Sequence, residues 1–382
     1  MTNKAIADSL SQLQKRSSSK WRFYPSDILP LPVAEMDFPI ADPIKVALHD
    51  LVERSDTGYL GPIPELKVNF ADFANRKWNW KLDPEQVRVA CDVGVGVIEV
   101  LRTFMSVGDK LLINTPVYNN FFTWINELKL TKVEVPLKRE DMHFTLDLPG
   151  VEAAYKTGVK AHLLCNPHNP VGTVYTKSEL MQIAELAEKY GVIVISDEIH
   201  APLTFLDTIF TPFLAASDAA KKVGITVTSA SKSFNLAGLK CATIVAQDPK
   251  LNAMLDTMPE SVHFRASLFG AIADAVAYKS GDLWLEGVIA TLDENRRLVD
   301  DLLKAKVPAI KYRIPDCSYL AWLDVSELNL GENPAAHFLE KGKVAFNPGH
   351  TYGADYSQFV RLNFGTSPEI ITDSIGRILN SL

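Results

Sequence analysis

A chain of 382 residues with 47% hydrophobic and 22% charged side chains exceeds the size at which a single core stops growing, so a soluble globular protein of two domains or lobes is expected. The formal net charge of −7, with no Lys/Arg cluster beyond short pairs, excludes a general binder of nucleic acid or anionic membrane, which needs a basic face. No apolar run approaches bilayer length, and the polar start Met1-Thr2-Asn3-Lys4-Ala5-Ile6-Ala7-Asp8 has no apolar signal core, so the cytoplasm is the expected location.

Residues 1–20 read as a short amphipathic helix followed by a polar stretch, Arg16-Ser17-Ser18-Ser19-Lys20. The segment Leu29 to Pro39 contains Pro30, Pro32 and Pro39, which forbid a helix and favour an extended, fixed path. Helical periodicity over Ile44–Arg54 and Pro64–Trp78 is interrupted by the loop Thr57-Gly58-Tyr59-Leu60-Gly61-Pro62. From Val87 onward, strand-like apolar runs alternate with helix-like ones: Val87–Cys91, Lys110–Asn114, Ala161–Cys165, Val192–Ser196, Ile225–Thr228 and Cys241–Ala246. This alternation predicts an α/β fold with a mostly parallel sheet and helices on both faces. One intervening helix is well signalled: Thr176 and Glu179 form a capping box, Leu180, Ile183, Ala184 and Ala187 form a stripe, and Gly191 supplies the stop. A long helical pattern begins near Leu283, and the runs Tyr319–Val325 and Phe359–Phe364 read as strands of a smaller α+β lobe.

The four cysteines, Cys91, Cys165, Cys241 and Cys317, are widely spaced and form no C-x-x-C pair; they read as core residues in a reducing compartment. The eight histidines lack metal-ligand spacing, so no metal site is expected.

Ligands of open parallel sheets bind beyond the carboxyl ends of the strands, which directs attention to the residues just after each run. After the first comes Asp92-Val93-Gly94-Val95-Gly96, a tight strand-to-helix turn that is either a plain turn or a phosphate seat of backbone N–H groups. It does not complete the dinucleotide fingerprint. After the second comes Tyr118, which suits stacking on an aromatic ring and equally suits a half-buried structural role. After the third comes Asn166-Pro167-His168-Asn169-Pro170-Val171-Gly172, a rigid irregular loop able to aim an amide. After the fourth come Ser196-Asp197-Glu198-Ile199-His200. Polar groups there are costly unless used, and a buried Asp197 needs a cationic partner; His200 reads equally as a satisfied core histidine. After the fifth comes Ser229-Ala230-Ser231-Lys232-Ser233-Phe234-Asn235. Lys232 by itself is an ordinary loop lysine; in a crevice it can be desolvated and act as a nucleophilic amine.

Taken together, the Asn166–Gly172 loop, the Ser196–His200 run and the Ser229–Asn235 run, with Lys232 placed 35 positions after Asp197, resemble the pyridoxal-phosphate enzymes of the aspartate aminotransferase fold. The resemblance extends from Val33 to Arg361. Within that fold, Val33-Ala34-Glu35-Met36-Asp37-Phe38 and Asp197-Glu198-Ile199-His200 are similar to the carbon–sulfur β-lyase branch, the cystathionine β-lyases of the MalY and PatB type. The resemblance implies a large domain with a mostly parallel seven-stranded sheet (46–282, binding pyridoxal phosphate), a small domain (283–382), and an N-terminal arm contributing to the small domain (1–45). It implies that Lys232 carries the cofactor as a Schiff base and later moves the Cα proton. Asp197 pairs with the pyridinium nitrogen. Asn169 bonds the ring oxygen, with His200 beside it, and Tyr118 stacks on the ring. Gly94, Val95, Ser229 and Lys240 hold the phosphate, and Tyr59 reaches the phosphate of a partner subunit, which makes a homodimer part of the site. Arg361 clamps the substrate carboxylate, and Glu35 contributes to substrate recognition together with the mouth loop Asn347–Gly353.

Two positions depart from the branch. Pro32 stands where a Trp is usual, and Lys240 is basic where the branch frequently has an uncharged residue. The expected activity is cleavage of cystathionine or a related cysteine conjugate to pyruvate, ammonia and a thiol, as a step of methionine biosynthesis. The alternative is an aminotransferase, which shares the first proton removal and differs only in where the proton returns. A purely regulatory protein with bound cofactor is a third reading, but the chain has no room for a DNA-binding module before the matching segment.

Overall fold

The computed structural model describes residues 4–382, so the first three positions of the N-terminal arm lie outside the described residues. Seven strands, β1 (Val87–Ala90), β2 (Lys110–Ile113), β3 (Thr131–Glu134), β4 (Ala161–Cys165), β5 (Ile193–Asp197), β6 (Gly224–Thr228) and β7 (Ala242–Val245), form one sheet in the spatial order β1-β7-β6-β5-β4-β2-β3. Neighbours run parallel except at β7, which is antiparallel to both β1 and β6. Every residue of β4 and β6 is buried, as expected of parallel strands covered by helices on both faces. Six of the strands coincide with the apolar runs of the sequence. The seventh, β3, is a polar edge strand that hydrophobic patterning does not reveal: Thr131, Lys132 and Glu134 are exposed and only Val133 is partly covered.

On one face of the sheet the helix Val93–Phe104 packs with Phe121, Trp124 and Leu251. On the other, the helix Leu268–Ser280 lies against Asp42–Glu53 and Pro64–Trp78, burying Phe70, Phe73 and Tyr278 in a core that continues into the smaller lobe through Leu320, Leu323 and Phe364. The 25-residue helix Asp282–Lys306 packs on the C-terminal helix Pro368–Asn380. Beside them, Lys311–Tyr312, Leu320–Asp324, Phe359–Asn363 and Asn347–Pro348 make a four-stranded antiparallel sheet. The capping box is formed as the sequence predicts: Thr176 Oγ1 accepts the Glu179 N–H at 3.2 Å and Glu179 Oε2 accepts the Thr176 N–H at 2.8 Å. Such a cap contributes about 1 kcal/mol. The helix ends on Gly191 at φ 68°, a left-handed conformation that glycine adopts without strain.

The N-terminal reading needs correction. In place of one amphipathic helix there are two single turns, Leu10–Leu13 and Ser19–Arg22, and the second lies in the stretch expected to be merely polar. Lys20 in that turn is 0% exposed. Its Nζ donates to Asp37 Oδ2 at 2.8 Å and to the Glu35 carbonyl at 3.1 Å, while Trp21 Nε1 donates to Asp37 Oδ1 at 2.8 Å. A buried charge is tolerated only with its partner and hydrogen bonds in place. This pair anchors residues 31–38 as an extended strap between the lobes. Asn363 Nδ2 donates to the Val33 and Glu35 carbonyls, both at 2.7 Å, and Asn235 Nδ2 donates to those of Met36 and Phe38 at 2.9 and 3.0 Å. With no helix of its own, the strap satisfies its backbone polar groups from these side chains and from neighbouring backbone, as where the Asp37 N–H donates to the Gly365 carbonyl at 2.8 Å.

Candidate active site

The C-terminal ends of β4, β5 and β6, the start of the helix Val93–Phe104 and the strap enclose a cleft of about 560 Å3. Of the residues expected at the site, Gly94, Val95, Tyr118, Asn169, Asp197, His200, Lys232, Lys240 and Arg361 all line it. They come from six separate chain segments, brought together because each lies at or beyond the end of a strand of the large sheet or, for Arg361, within the small sheet.

Lys232 sits in the one-turn helix Ala230–Ser233 that follows β6. Its Nζ donates to the Ala34 carbonyl of the strap at 2.7 Å, a carbonyl that also accepts Tyr319 Oη–H at 3.0 Å. Burial, aided by the Arg361 charge, lowers the Lys232 ammonium pKa to about 8, so a useful fraction is the free amine near neutral pH. Asp197, the last residue of β5, is 4% exposed. Burial pushes its pKa up to about 7, opposed by the Ile199 N–H that it accepts on Oδ1 at 3.2 Å. Ionised at that depth, it calls for a cation. His200 is buried with Nδ1 3.0 Å from Ser318 Oγ; burial, with Lys232 and Arg361 nearby, lowers its pKa to about 3, which keeps the ring neutral.

Arg361, on the strand Phe359–Asn363, is 2% exposed. Nη1 donates to Asn169 Oδ1 at 3.1 Å and Nη2 to the Pro32 carbonyl at 2.8 Å, a carbonyl that Asn347 Nδ2 also reaches at 2.8 Å. Among the described residues Arg361 Nε is buried without a partner, and an orphaned guanidinium N–H is costly unless a ligand takes it. The loop that aims Asn169 is braced by His168, whose ring bridges the Pro116 carbonyl and Tyr175 Oη, each at 2.7 Å. Tyr118 Oη accepts Asn120 Nδ2–H at 2.8 Å, and its ring meets Trp124 edge-on at 6.1 Å.

Three expected residues are placed elsewhere. The Ser229 hydroxyl points back into its own turn, accepting the Ser231 N–H at 3.0 Å and donating to the Cys241 carbonyl at 2.6 Å; it is Ser231 that lines the cleft. Tyr59 is 92% exposed on an outer loop. Glu35 is partly buried, and its carbonyl, bound by Lys20 and Asn363, serves the strap. Asn347, at the start of the expected mouth loop, lines the cleft as well, as do Asp92 and Trp124, to which the sequence assigned no role. Asp92 was reachable by the same strand-end rule, since it directly follows β1.

The family model for aminotransferases of class I and II matches residues 26–378. The chain belongs to this family. Its relatives within the family include a Mycobacterium leprae protein with the provisional name cystathionine beta-lyase, 37% identical over 98% of this chain and 96% of the relative. The cystathionine beta-lyase PatB of Bacillus subtilis is 31% identical over 94% of this chain and 93% of the relative. Among solved structures, a Corynebacterium diphtheriae protein described provisionally as a PLP-dependent beta-cystathionase superposes with a TM-score of 0.94 at 32% identity, covering 99% of this chain and 98% of that one.

Proposed function

We propose that this family member is a pyridoxal-phosphate-dependent carbon–sulfur β-lyase, cleaving cystathionine or a related cysteine conjugate to pyruvate, ammonia and a thiol. The observation that carries the reading is the meeting in one cleft of Lys232, Asp197 and Arg361, an amine of lowered pKa, a buried carboxylate short of a cation and a guanidinium with an unpartnered Nε. The names of the relatives favour lyase over aminotransferase.

The residues present fit the cofactor. Asp197 supplies the counter-charge for a protonated pyridine nitrogen. Gly94 leaves room at the helix start, where a Cβ would lie 3.1 Å from the Trp124 ring. Bound there, pyridoxal phosphate supplies an electron sink for negative charge at the substrate Cα.

Lys232 would hold the cofactor through its amine, and as a free amine it would be the base that takes the substrate Cα proton, a task its lowered pKa suits. Asn169 and His200 would hold the cofactor ring by hydrogen bonds and Tyr118 would hold it by packing. Lys240, the Val95 and Gly94 backbone and the Ser231 hydroxyl form the phosphate end, with Ser229 supporting the turn from behind. Arg361 clamps the substrate carboxylate through its fork geometry. Glu35 belongs to substrate recognition at the mouth, and Tyr59 would reach the phosphate bound by a partner subunit. An exposed Tyr59 serves the site only from a second copy, so a homodimer is part of the reading, as are the division into 46–282 and 283–382, a cytoplasmic location and a place in methionine biosynthesis.

Incubation of the loaded protein with cystathionine tests the proposal. Pyruvate and a free thiol are expected in equal amounts. No pyruvate, with conversion to the pyridoxamine spectrum on adding common amino acids, identifies an aminotransferase instead.

A further inference from the structure

Asp92 stands against two of the groups assigned to the phosphate. As N-cap of the helix Val93–Phe104, its Oδ1 accepts the Val95 N–H at 2.8 Å, and its Oδ2 accepts Lys240 Nζ at 3.0 Å. Lys240 reaches it from a turn held at φ 59°, with the Lys240 carbonyl accepting the Ser267 N–H at 3.0 Å. A non-glycine residue in that conformation persists only where its surroundings fix it. The carboxylate thus occupies the donors that an incoming phosphate needs, a backbone N–H at a helix start and an ammonium. Asp92 and Lys240 together bring no net charge to the phosphate end. The phosphate must take these donors from Asp92 and then remain beside a like charge.

We infer that Asp92 is an internal competitor for the cofactor phosphate and sets how tightly and how long the cofactor is held. The inference rests on the reading of the cleft as a pyridoxal-phosphate site. A cap alone does not need the charge, because asparagine caps a helix about as well as aspartate.

The test measures equilibrium binding of pyridoxal phosphate, and of pyridoxal lacking the phosphate, to protein stripped of cofactor, by absorbance and by quenching of tryptophan fluorescence. Asp92→Asn keeps the cap and removes the charge. It is expected to tighten pyridoxal-phosphate binding about tenfold, a change typical of one partly screened like-charge contact, and to leave pyridoxal binding unchanged. Asp92→Ser, which also caps, is expected to act in the same direction and serves if the first variant folds poorly. Equal or weaker binding of pyridoxal phosphate overturns the inference, since Asp92 then only steadies Lys240. An equal gain for pyridoxal overturns it too, because the effect is then not on the phosphate. Wild-type protein that fails to bind pyridoxal phosphate saturably overturns the proposed function along with it.

Discussion

Replacing Lys20 by methionine tests whether the strap depends on its buried ion pair. The substitution keeps most of the side-chain volume and removes the ammonium that donates to Asp37 Oδ2, at 2.8 Å; Trp21 Nε1 still donates to Oδ1. Breaking a buried pair on one side costs about 3–5 kcal/mol, because the remaining charge is left uncompensated. For 382 residues the unfolding entropy is about 0.8 kcal/mol per kelvin, so Lys20→Met should lower Tm by about 5 °C. The double variant Lys20→Met/Asp37→Asn removes the orphaned charge and should regain at least half of the loss. Both are read by thermal unfolding at fixed pH and protein concentration, with urea midpoints as a second measure. A single variant within 1 °C of wild type (a shift far below the about 5 °C computed above) would refute the reasoning, as would a double variant no more stable than the single one.

The strap and the site yield two further expectations. Because burial and Arg361 lower the Lys232 pKa to about 8, the rate at which cofactor-stripped protein captures pyridoxal phosphate should rise about tenfold per pH unit below that value and then level off, the free amine being the nucleophile. A rate still climbing steeply at the ordinary lysine pKa, measured by stopped-flow absorbance, contradicts this. Arg361→Lys retains the charge but loses the planar fork and the orphaned Nε. It should lower kcat/KM about 100-fold, mainly through KM, at about 1.5–3 kcal/mol per charge-assisted bond lost, while the visible absorbance of the bound cofactor persists. Unchanged KM for the amino-acid substrate removes Arg361 from carboxylate binding.

Much of the large sheet was legible in the sequence because strands buried on both faces are near-continuous apolar runs, and the site followed from looking just beyond their ends. The limits are physical. A run of hydroxyl residues does not say which one faces a ligand: in the turn Ala230–Ser233, successive side chains point about 100° apart, so Ser229 turns inward to cap while Ser231 faces the cleft. Pairings between distant polar residues are equally hidden. Nothing in the sequence shows that Lys20 and Asp37 are both buried, and Asp92 meets Lys240 across 148 positions of sequence. Tyr59 carries no local signal for what it touches, because its contacts within one chain are few.

The polarity that conceals β3 also governs how the molecule behaves in crowded solution. A sheet ends in a row of backbone donors and acceptors that any extended chain can match, and charged side chains on the outermost strand discourage such pairing. Thr131, Lys132 and Glu134 are exposed along that border, with Lys132 and Glu134 ion-paired at 2.5 Å. Valine at both charged positions would turn Thr131–Glu134 into a run of β-branched residues with no charge left. The fold would keep its order of strands and lose its solubility, since the border would then invite other chains to extend the sheet.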